Sequence, residues 1–252
     1  MTSIMRIKSV LIGALAGATL MGLPLQAAEL TKSDVEQIVR DYLLKNPEIL
    51  VEMSNELRAK QESMQAANDK DLIKAHAKQL YDNKDPEIGN PKGSLTIVEF
   101  FDYNCGYCKR AHPLITELLK EDKDIRYIYK QFPILSETSL YAARAALAVQ
   151  LTQPGKYQAF HDKLVAFQGH LSDQAQVEKL AKEAGVDWSK AKAKLEDPAI
   201  SKSLGTNRAL AEALGISGTP AFIVGDQVLR GAPRDLASLK AFIKDVRSGK
   251  SS

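Results

Sequence analysis

The chain has 252 residues, of which 44% are apolar and 26% charged, with two cysteines and a formal net charge of +3. This composition excludes a collagen, a disulfide-rich miniprotein and a disordered chain. Two of the basic residues, Arg6 and Lys8, lie in a leading segment without acidic residues, so the rest of the chain is nearly neutral. A nearly neutral chain offers no electrostatic basis for binding nucleic acid, and we expect no nucleic-acid partner.

Residues 1–28 have the pattern of a secretory signal peptide. A basic start is followed by an apolar run over 10–21, and the small residues Ala27 and Ala28 suit a signal peptidase. The apolar run is shorter than the about 20 residues that a membrane-spanning helix needs. We therefore expect export to a bacterial periplasm, which is an oxidising compartment.

Residues 29–90 are predicted to form a helical oligomerisation segment and a linker. Ser33 and Glu36 have the spacing of a capping box. Apolar residues follow at helical spacing, and Pro47 ends this first helix because proline disfavours helix at the preceding residue. The apolar members of the stripe are Val35, Ile38, Val39, Tyr42 and Leu43.

A second, longer helical pattern covers residues 48–81 and carries only a thin apolar stripe. Such a helix could cover its stripe by packing against another copy of the chain, which predicts a dimer or a trimer. A solvated linker helix, broken near Asn68 and Asp69, stays open as the alternative. The residues over 85–93 are rich in proline and glycine and predict a boundary made of turns.

Residues 91–252 are predicted to form an α/β domain. An apolar run over 95–101 predicts a buried strand, a helical pattern follows over 108–121, and a further strand is expected over 125–132. The order strand, helix, strand indicates a right-handed crossover and a parallel pair of strands.

The remaining pattern is a helical insert followed by a hairpin. Residues 137–215 are helical in pattern throughout, with segments separated by glycine and proline. Two short strands over 221–224 and 227–229 then predict an antiparallel hairpin. A last helix is expected over 235–246.

The motif Cys105-Gly106-Tyr107-Cys108 links a predicted strand to a predicted helix, which is the context of a redox-active dithiol. Free N–H groups and the helix dipole favour negative charge at a helix N-terminus. We therefore expect a lowered thiol pKa for Cys105, and a lowered pKa makes this sulfur a good leaving group. Cys108 is expected to be the less accessible resolving thiol.

Other interpretations of the two cysteines are weaker. A structural disulfide would close only a four-residue ring. Cys105, Cys108 and His112 have the spacing of ligands for Cu(I) or Zn(II), but no second pair of ligands is near in sequence, so we predict no metal and no cofactor. His112 either lies near the dithiol or is a surface residue before a proline, and His161 is predicted to be a core histidine.

Two stretches resemble the thioredoxin superfamily: residues 98–108 resemble its active-site strand, and Gly218-Thr-Pro-Ala-Phe222 resembles its cis-proline loop. With a helical insert between them, the chain is similar to the DsbA-like branch. Residues 41–48 and 157–161 look like the exported ScsC-type subgroup. The resemblance implies a thioredoxin-like fold with an inserted helical domain, preceded by an oligomerisation segment, and the activity of a thiol:disulfide oxidoreductase.

The resemblance also implies roles for the second loop and the motif. Pro220 would be a cis-proline that faces the two sulfurs, and the backbone of Thr219 would pair with an incoming peptide like a strand edge. Gly106 and Tyr107, between the cysteines, are expected to contact the substrate.

Glu99 occupies a position where the family carries an acid. A carboxyl group in an apolar strand is costly to bury unless it has a function or a partner. We expect it to exchange a proton with Cys108 through water. A side chain that points to solvent at the strand edge is the alternative.

The direction of the reaction has two interpretations. The Gly-Tyr pair between the cysteines and the threonine before Pro220 are similar to the DsbC-type isomerases, and they favour isomerisation or exchange in exported proteins. A DsbA-like oxidase, or a copper-binding dithiol protein, is the alternative. The expected partners are exported proteins with thiols or disulfides, a membrane redox partner and further copies of the chain.

Overall fold

The computed structural model describes residues 30–82 and 84–249. The predicted signal peptide over 1–28 therefore lies outside the described residues. The chain divides into two compact units, Met1–Asn55 and Glu56–Ser252, and each is described by itself. No helix in the described ranges is long and apolar enough to cross a membrane.

The first unit contains helix α1 (Lys32–Lys45) and the beginning of helix α2 (Glu48–Ala75). The capping box predicted at Ser33 is wrong. Thr31 is the N-cap, its hydroxyl accepts a hydrogen bond from the Asp34 N–H at 3.2 Å, and the Asp34 carboxylate accepts one from the Thr31 N–H at 3.0 Å. The helix thus begins early enough to place Ser33 already inside its first turn.

Most of the predicted apolar stripe of α1 is exposed, and its last member, Leu43, is half-buried. Within the part of the chain that the structure describes, α1 has no buried residue. The large apolar side chains of α1 that are exposed are Val35, Ile38, Val39, Tyr42 and Leu44.

The second unit begins within α2, which ends at Ala75 and is followed, after a break at His76, by the short helix α3 (Ala77–Leu80). The break thus lies beyond Asn68, where the linker interpretation had placed it. In the described part of this unit, seven further α-helices follow: α4 (Gly106–Glu121), α5 (Glu137–Thr152), α6 (Tyr157–Ala166), α7 (Gln174–Glu183), α8 (Trp188–Lys192), α9 (Pro198–Ala213) and α10 (Leu236–Arg247). The predicted helical insert is confirmed, and α4 begins two residues before its predicted start.

Among the residues that the structure describes, the sheet has five strands in the order β1-β3-β2-β4-β5. The strands are β1 (Glu87–Gly89), β2 (Leu95–Phe101), β3 (Ile125–Gln131), β4 (Ala221–Val224) and β5 (Gln227–Arg230). The pair β2 and β3 is parallel, and the other three pairs are antiparallel. The predicted parallel pair and the predicted hairpin are therefore confirmed, as is the α/β class.

Strand β1 was missed because it lies in the proline- and glycine-rich stretch that predicted only turns. It is three residues long and pairs with the edge of the sheet at β3, where Gly89 adopts a φ of +79°. Two residues of the predicted linker, Ile73 and Leu80, are also buried in this unit's core. The division of the chain at residue 90 stays a prediction.

The two faces of β2 bury different sets of side chains. Ile97 and Phe101 pack on one face with α4 and the helical insert, whereas Val98 and Phe100 pack on the other with α9. Because side chains alternate along a strand, Glu99 shares its face with Ile97 and Phe101. The fold therefore directs a carboxyl group toward the helix that carries the dithiol.

Candidate active site

The turn between β2 and α4 is held by the carboxylate of Asp102, which is buried. This carboxylate accepts hydrogen bonds from the N–H groups of Asn104 at 2.7 Å, Ile134 at 2.8 Å and Leu135 at 3.0 Å. The Asp102 carbonyl oxygen also accepts the N–H of Cys105 at 3.0 Å. Asp102 thus fixes the backbone that places the first cysteine at the start of α4.

Asn104 and Lys109 connect the motif to the helical insert. The amide oxygen of Asn104 accepts the Leu171 N–H at 2.7 Å. The Lys109 ammonium donates to the carbonyl oxygens of Phe167 and Gly169 at 2.7 and 2.6 Å. Sequence reasoning assigned no role to Asp102, Asn104 or Lys109; the one available signal was a polar pair directly after a buried strand.

The sulfur of Cys105 lies at the N-cap of α4, as predicted. It accepts a hydrogen bond from the Cys108 N–H at 3.4 Å. The pKa of the Cys105 thiol is lowered to about 6, chiefly by a hydrogen bond with the Cys108 side chain. Backbone N–H groups of Cys108 and Tyr107 act in the same direction, and burial opposes them.

The pKa of the Cys108 thiol is shifted in the opposite direction, upward. Cys108 is almost fully buried, with 2% of its surface exposed. Burial raises the pKa of its thiol well above the usual range, and the hydrogen bond with Cys105 and the charge on Glu99 add to this rise. Two thiols in one helical turn are thus held in different protonation states at neutral pH.

The loop before β4 brings its backbone to the first sulfur. The Thr219–Pro220 peptide bond is cis, which confirms the predicted geometry. The Cys105 thiol donates a hydrogen bond to the Thr219 carbonyl oxygen at 3.1 Å. The Pro220 carbonyl oxygen accepts the N–H of Gly231 at 2.9 Å, which ties the loop to the end of the hairpin. The roles of Thr219 and Pro220 stay predictions.

Glu99 is buried, with 7% of its surface exposed, so a side chain that points to solvent is wrong. The Tyr127 hydroxyl donates a hydrogen bond to Glu99 Oε2 at 2.8 Å. Burial is the largest influence on the carboxyl and raises its pKa to about 7, against the opposing effects of Tyr127 and His112. A carboxyl group with this pKa exchanges protons readily near neutral pH.

The two residues between the cysteines face solvent. Gly106 is exposed, and Tyr107 has 59% of its surface exposed. The guanidinium of Arg110 lies 4.1 Å from the centroid of the Tyr107 ring, a cation–π distance. An aromatic side chain is therefore presented beside the reactive sulfur, and its contact with substrate stays a prediction.

The histidines near the motif are partly or fully buried. His112 Nε2 lies 3.2 Å from Asp162 Oδ1, so His112 is not a free surface residue. His161 is a core histidine, as predicted: it is 1% exposed, its Nδ1 lies 3.1 Å from the Tyr103 hydroxyl, and burial lowers its pKa to about 3. Over 30–82 and 84–249, the side chains grouped closely enough to share an ion include neither cysteine.

Comparison with known proteins places this arrangement in a family. The model of the DSBA-like thioredoxin domain matches residues 96–243, and the model of the N-terminal domain of the copper resistance protein ScsC matches residues 32–63. The first match covers more than half of the chain. The chain therefore belongs to the DSBA-like thioredoxin domain family.

Individual relatives agree with this assignment. BcfH from Salmonella enterica Typhimurium is 32% identical, with a TM-score of 0.71 over 84% of this chain and 94% of that one. A linker-deletion mutant of ScsC from Proteus mirabilis is 32% identical, with a TM-score of 0.68 over 88% and 99%. The thiol:disulfide interchange protein DsbA of Bordetella parapertussis is 28% identical over 62% of this chain and 75% of its own length.

Some curated relatives are much longer proteins. The Na(+)/H(+) antiporter NhaA 3 of Salinispora tropica is 28% identical over 64% of this chain, and the match spans 24% of the antiporter. The chain thus spans about a quarter of the length of such relatives.

Proposed function

We propose that the protein is a periplasmic enzyme that isomerises and exchanges disulfides in exported proteins through Cys105 and Cys108. One observation carries the exchange chemistry of this proposal: the pKa of the first thiol is lowered to about 6, while that of the second is raised. The thiolate is the nucleophile in thiol–disulfide exchange, so one sulfur is ready to attack and the other is held in reserve.

The first step is attack by the Cys105 thiolate on a substrate disulfide. One sulfur–sulfur bond forms between Cys105 and the substrate, the substrate disulfide breaks, and the second substrate sulfur leaves as a thiolate. No external oxidant or reductant takes part in this step. The freed substrate thiolate then attacks a different disulfide, and a last attack on the mixed disulfide releases Cys105 with no net oxidation.

Cys108 resolves a mixed disulfide in which the substrate does not rearrange. Its thiol loses a proton to the Glu99 carboxylate, and its sulfur attacks Cys105 and releases the substrate as a thiolate. The substrate gains two electrons, and Cys105 and Cys108 form a disulfide. Glu99 suits this step because its pKa of about 7 lets it take up and return a proton near neutral pH.

Substrate recognition is proposed at the two loops that flank the sulfur. The Thr219 carbonyl oxygen lies 3.1 Å from the Cys105 sulfur, so a peptide that enters the site meets a backbone hydrogen-bonding group there. The hydrogen bond from the Gly231 N–H to the Pro220 carbonyl oxygen holds this loop at the end of the hairpin. Gly106 leaves room on the exposed side, and the Tyr107 ring offers an apolar surface to a substrate side chain.

The isomerase direction is supported by the first unit. Helix α1 exposes an apolar stripe, and the model of the ScsC N-terminal domain covers it. We propose that this stripe joins copies of the chain into a dimer or trimer. Several dithiols on one particle hold a misfolded substrate through repeated attacks, because a second binding event becomes intramolecular. The signal peptide over 1–28 would deliver the chain to the periplasm, where a membrane partner would keep the dithiol reduced.

The experiment compares insulin reduction with the refolding of scrambled ribonuclease. We expect the unaltered protein to be active in both assays and Cys105→Ser to be inactive in both. Cys108→Ser should form a mixed disulfide with substrate that persists without an added thiol. Inactivity of the unaltered protein in both assays would contradict the proposal that it is an enzyme.

A second pair of variants tests the role of α1. Ile38→Asp places a charge in the exposed stripe, and Gln37→Asp places the same charge beside it as a control. Because α1 has no buried residue, neither change disturbs a core. Ile38→Asp should lower the mass measured by light scattering and the ribonuclease activity while insulin reduction continues. Equal behaviour of the two variants would argue against the oligomer.

A disulfide-forming oxidase is the second candidate, and the same lowered pKa favours it. A stable Cys105 thiolate stabilises the reduced dithiol, so the disulfide form becomes a stronger oxidant. The redox state of the dithiol in the cell separates the two directions: mostly reduced supports the isomerase, and mostly oxidised supports the oxidase. Stoichiometric Cu(I) binding with little turnover would instead favour a copper-binding dithiol.

A further inference from the structure

A second group of polar side chains lies on the same face of the sheet as the dithiol but does not contain it. His112 comes from α4, and His161 and Asp162 come from α6. One ligand atom from each of the three residues lies within 4.8 Å of the other two. Ligand atoms around a tetrahedral zinc ion are separated by roughly 3.4 Å. Small side-chain rotations would therefore bring these three atoms to the distances needed to bind one ion.

His161 provides an independent sign that this group binds something. Its side chain is 1% exposed, and its Nε2 has no hydrogen-bond partner among the residues that the structure describes. A buried polar atom without a partner is unusual in a folded protein and calls for an explanation, such as an ion. With Nδ1 engaged by a hydroxyl, the other ring nitrogen is the one left to bind a metal.

The partners of the three residues are those that orient metal ligands. The Tyr103 hydroxyl lies 3.1 Å from His161 Nδ1 and itself accepts a hydrogen bond from Gln131 Nε2 at 3.1 Å. Gln158 Nε2 donates to Asp162 Oδ1 at 2.7 Å. Such outer contacts fix the ring and the carboxylate and are typical of metal-binding histidines and carboxylates.

The group is also open on one side. The side chains of His112 and Asp162 are 19% and 47% exposed, so an ion reaches the group from solvent and keeps a water as a further ligand. Two imidazoles and one carboxylate suit borderline divalent ions and are poor ligands for Mg²⁺ or Ca²⁺. We propose that His112, His161 and Asp162 form a binding site for a divalent transition-metal ion of the zinc and copper type.

The proposal is tested with Zn²⁺ and untagged protein whose two cysteines are locked as a disulfide, so that neither sulfur binds the ion. Equilibrium dialysis should give one Zn²⁺ per chain at saturation. Asp162→Asn and His112→Gln should each weaken binding by more than about tenfold. His170→Gln, at an exposed histidine, should leave the affinity unchanged.

Nuclear magnetic resonance of the histidine rings gives a second readout that needs no substitution in the core. The ring signals of His112 and His161 should shift when Zn²⁺ is added, whereas those of His76 and His170 should not. Absence of saturable binding would overturn the proposal, as would equal binding by His112→Gln or a ring shift confined to His170. Because the dithiol is locked throughout, the result does not depend on exchange activity.

Discussion

Helices α1 and α4 are both amphipathic, yet they bury different shares of their apolar residues. Helix α4 buries Cys108, Ala111, Ile115 and Leu118, whereas α1 has no buried residue in the described chain. The periodic pattern predicted both helices equally well. It therefore specifies that a face is apolar, but not whether that face is covered by the same chain or by another molecule.

Truncation of the chain at two different positions tests this comparison with the largest expected effect. A variant that begins at Glu56 keeps Ile73, Leu80 and β1, so it should fold and reduce insulin but lose its oligomeric state. A variant that begins after Asn90 lacks these core parts and should not show cooperative unfolding. Denaturant titration and light scattering measure both outcomes. A stable fold in the shorter variant would show that residues 56–90 are a linker after all.

Single leucines test the same contrast with a smaller effect. Leu80 is fully buried and Leu44 is 69% exposed. Leu80→Ala should lower the free energy of unfolding of the second unit by about 2–5 kcal/mol, because it removes core contacts and leaves a cavity. Leu44→Ala should change that free energy by less than about 0.5 kcal/mol and act only on association. Both values come from urea unfolding, and equal losses would contradict the difference in burial between the two side chains.

Glu99→Gln tests the buried carboxyl through its pH dependence. The pKa of Glu99 is about 7 in the folded chain, against an ordinary value of 4.5. Between these values the folded state holds a proton that the unfolded state has lost, so stability falls as pH rises, and the loss is complete above pH 7. The glutamine variant lacks this loss, so above pH 7 it should be more stable than the unaltered protein by about 3 kcal/mol.

The control for that measurement is Glu117→Gln, which removes an exposed carboxyl from α4. Below about pH 4 the Glu99 carboxyl is protonated in both the folded and the unfolded state. The free energy of unfolding should therefore depend on pH in a similar way in the two variants and the unaltered protein. A constant difference between Glu99→Gln and the unaltered protein at every pH would mean that the carboxyl titrates normally.

The smallest expected effect concerns the helix caps of the two units. The Thr31 hydroxyl caps α1 by accepting the Asp34 N–H, whereas the Ser136 hydroxyl caps α5 and also accepts a hydrogen bond from Asn104 of the active-site turn. Thr31→Ala should cost about 1 kcal/mol and speed amide exchange only in the first turn of α1. Ser136→Ala should also speed exchange at Leu171, which Asn104 holds. Identical local effects would contradict the network.

The sequence predicted the order of the main strands and helices because long apolar runs and clear periodicity specify them. It missed β1 because a three-residue edge strand among prolines and glycines has no periodic signal of its own. The capping box was placed two residues late, since Thr31 and Ser33 both precede a suitable acid and only the start of the helix distinguishes them.

The candidate site was predictable where chemistry and local order coincide, as for Cys105 at its helix start. The direction of the Glu99 side chain and the cis bond before Pro220 needed the family resemblance and then the structure. The contacts of Asp102 with Ile134 and Leu135 join residues that are distant in the chain. The contacts of Asn104 and Lys109 with residues 167–171 are also long-range. No spacing rule specifies such contacts, so sequence reasoning had no access to them.

Titration of the Cys105 thiol by ultraviolet absorbance tests the central claim most directly. In the reduced protein, one thiolate should appear with a pKa of about 6, and the signal should vanish in Cys105→Ser. The Cys108 thiol should remain protonated throughout this range. A single transition near pH 9, the ordinary value of a cysteine, would contradict the account.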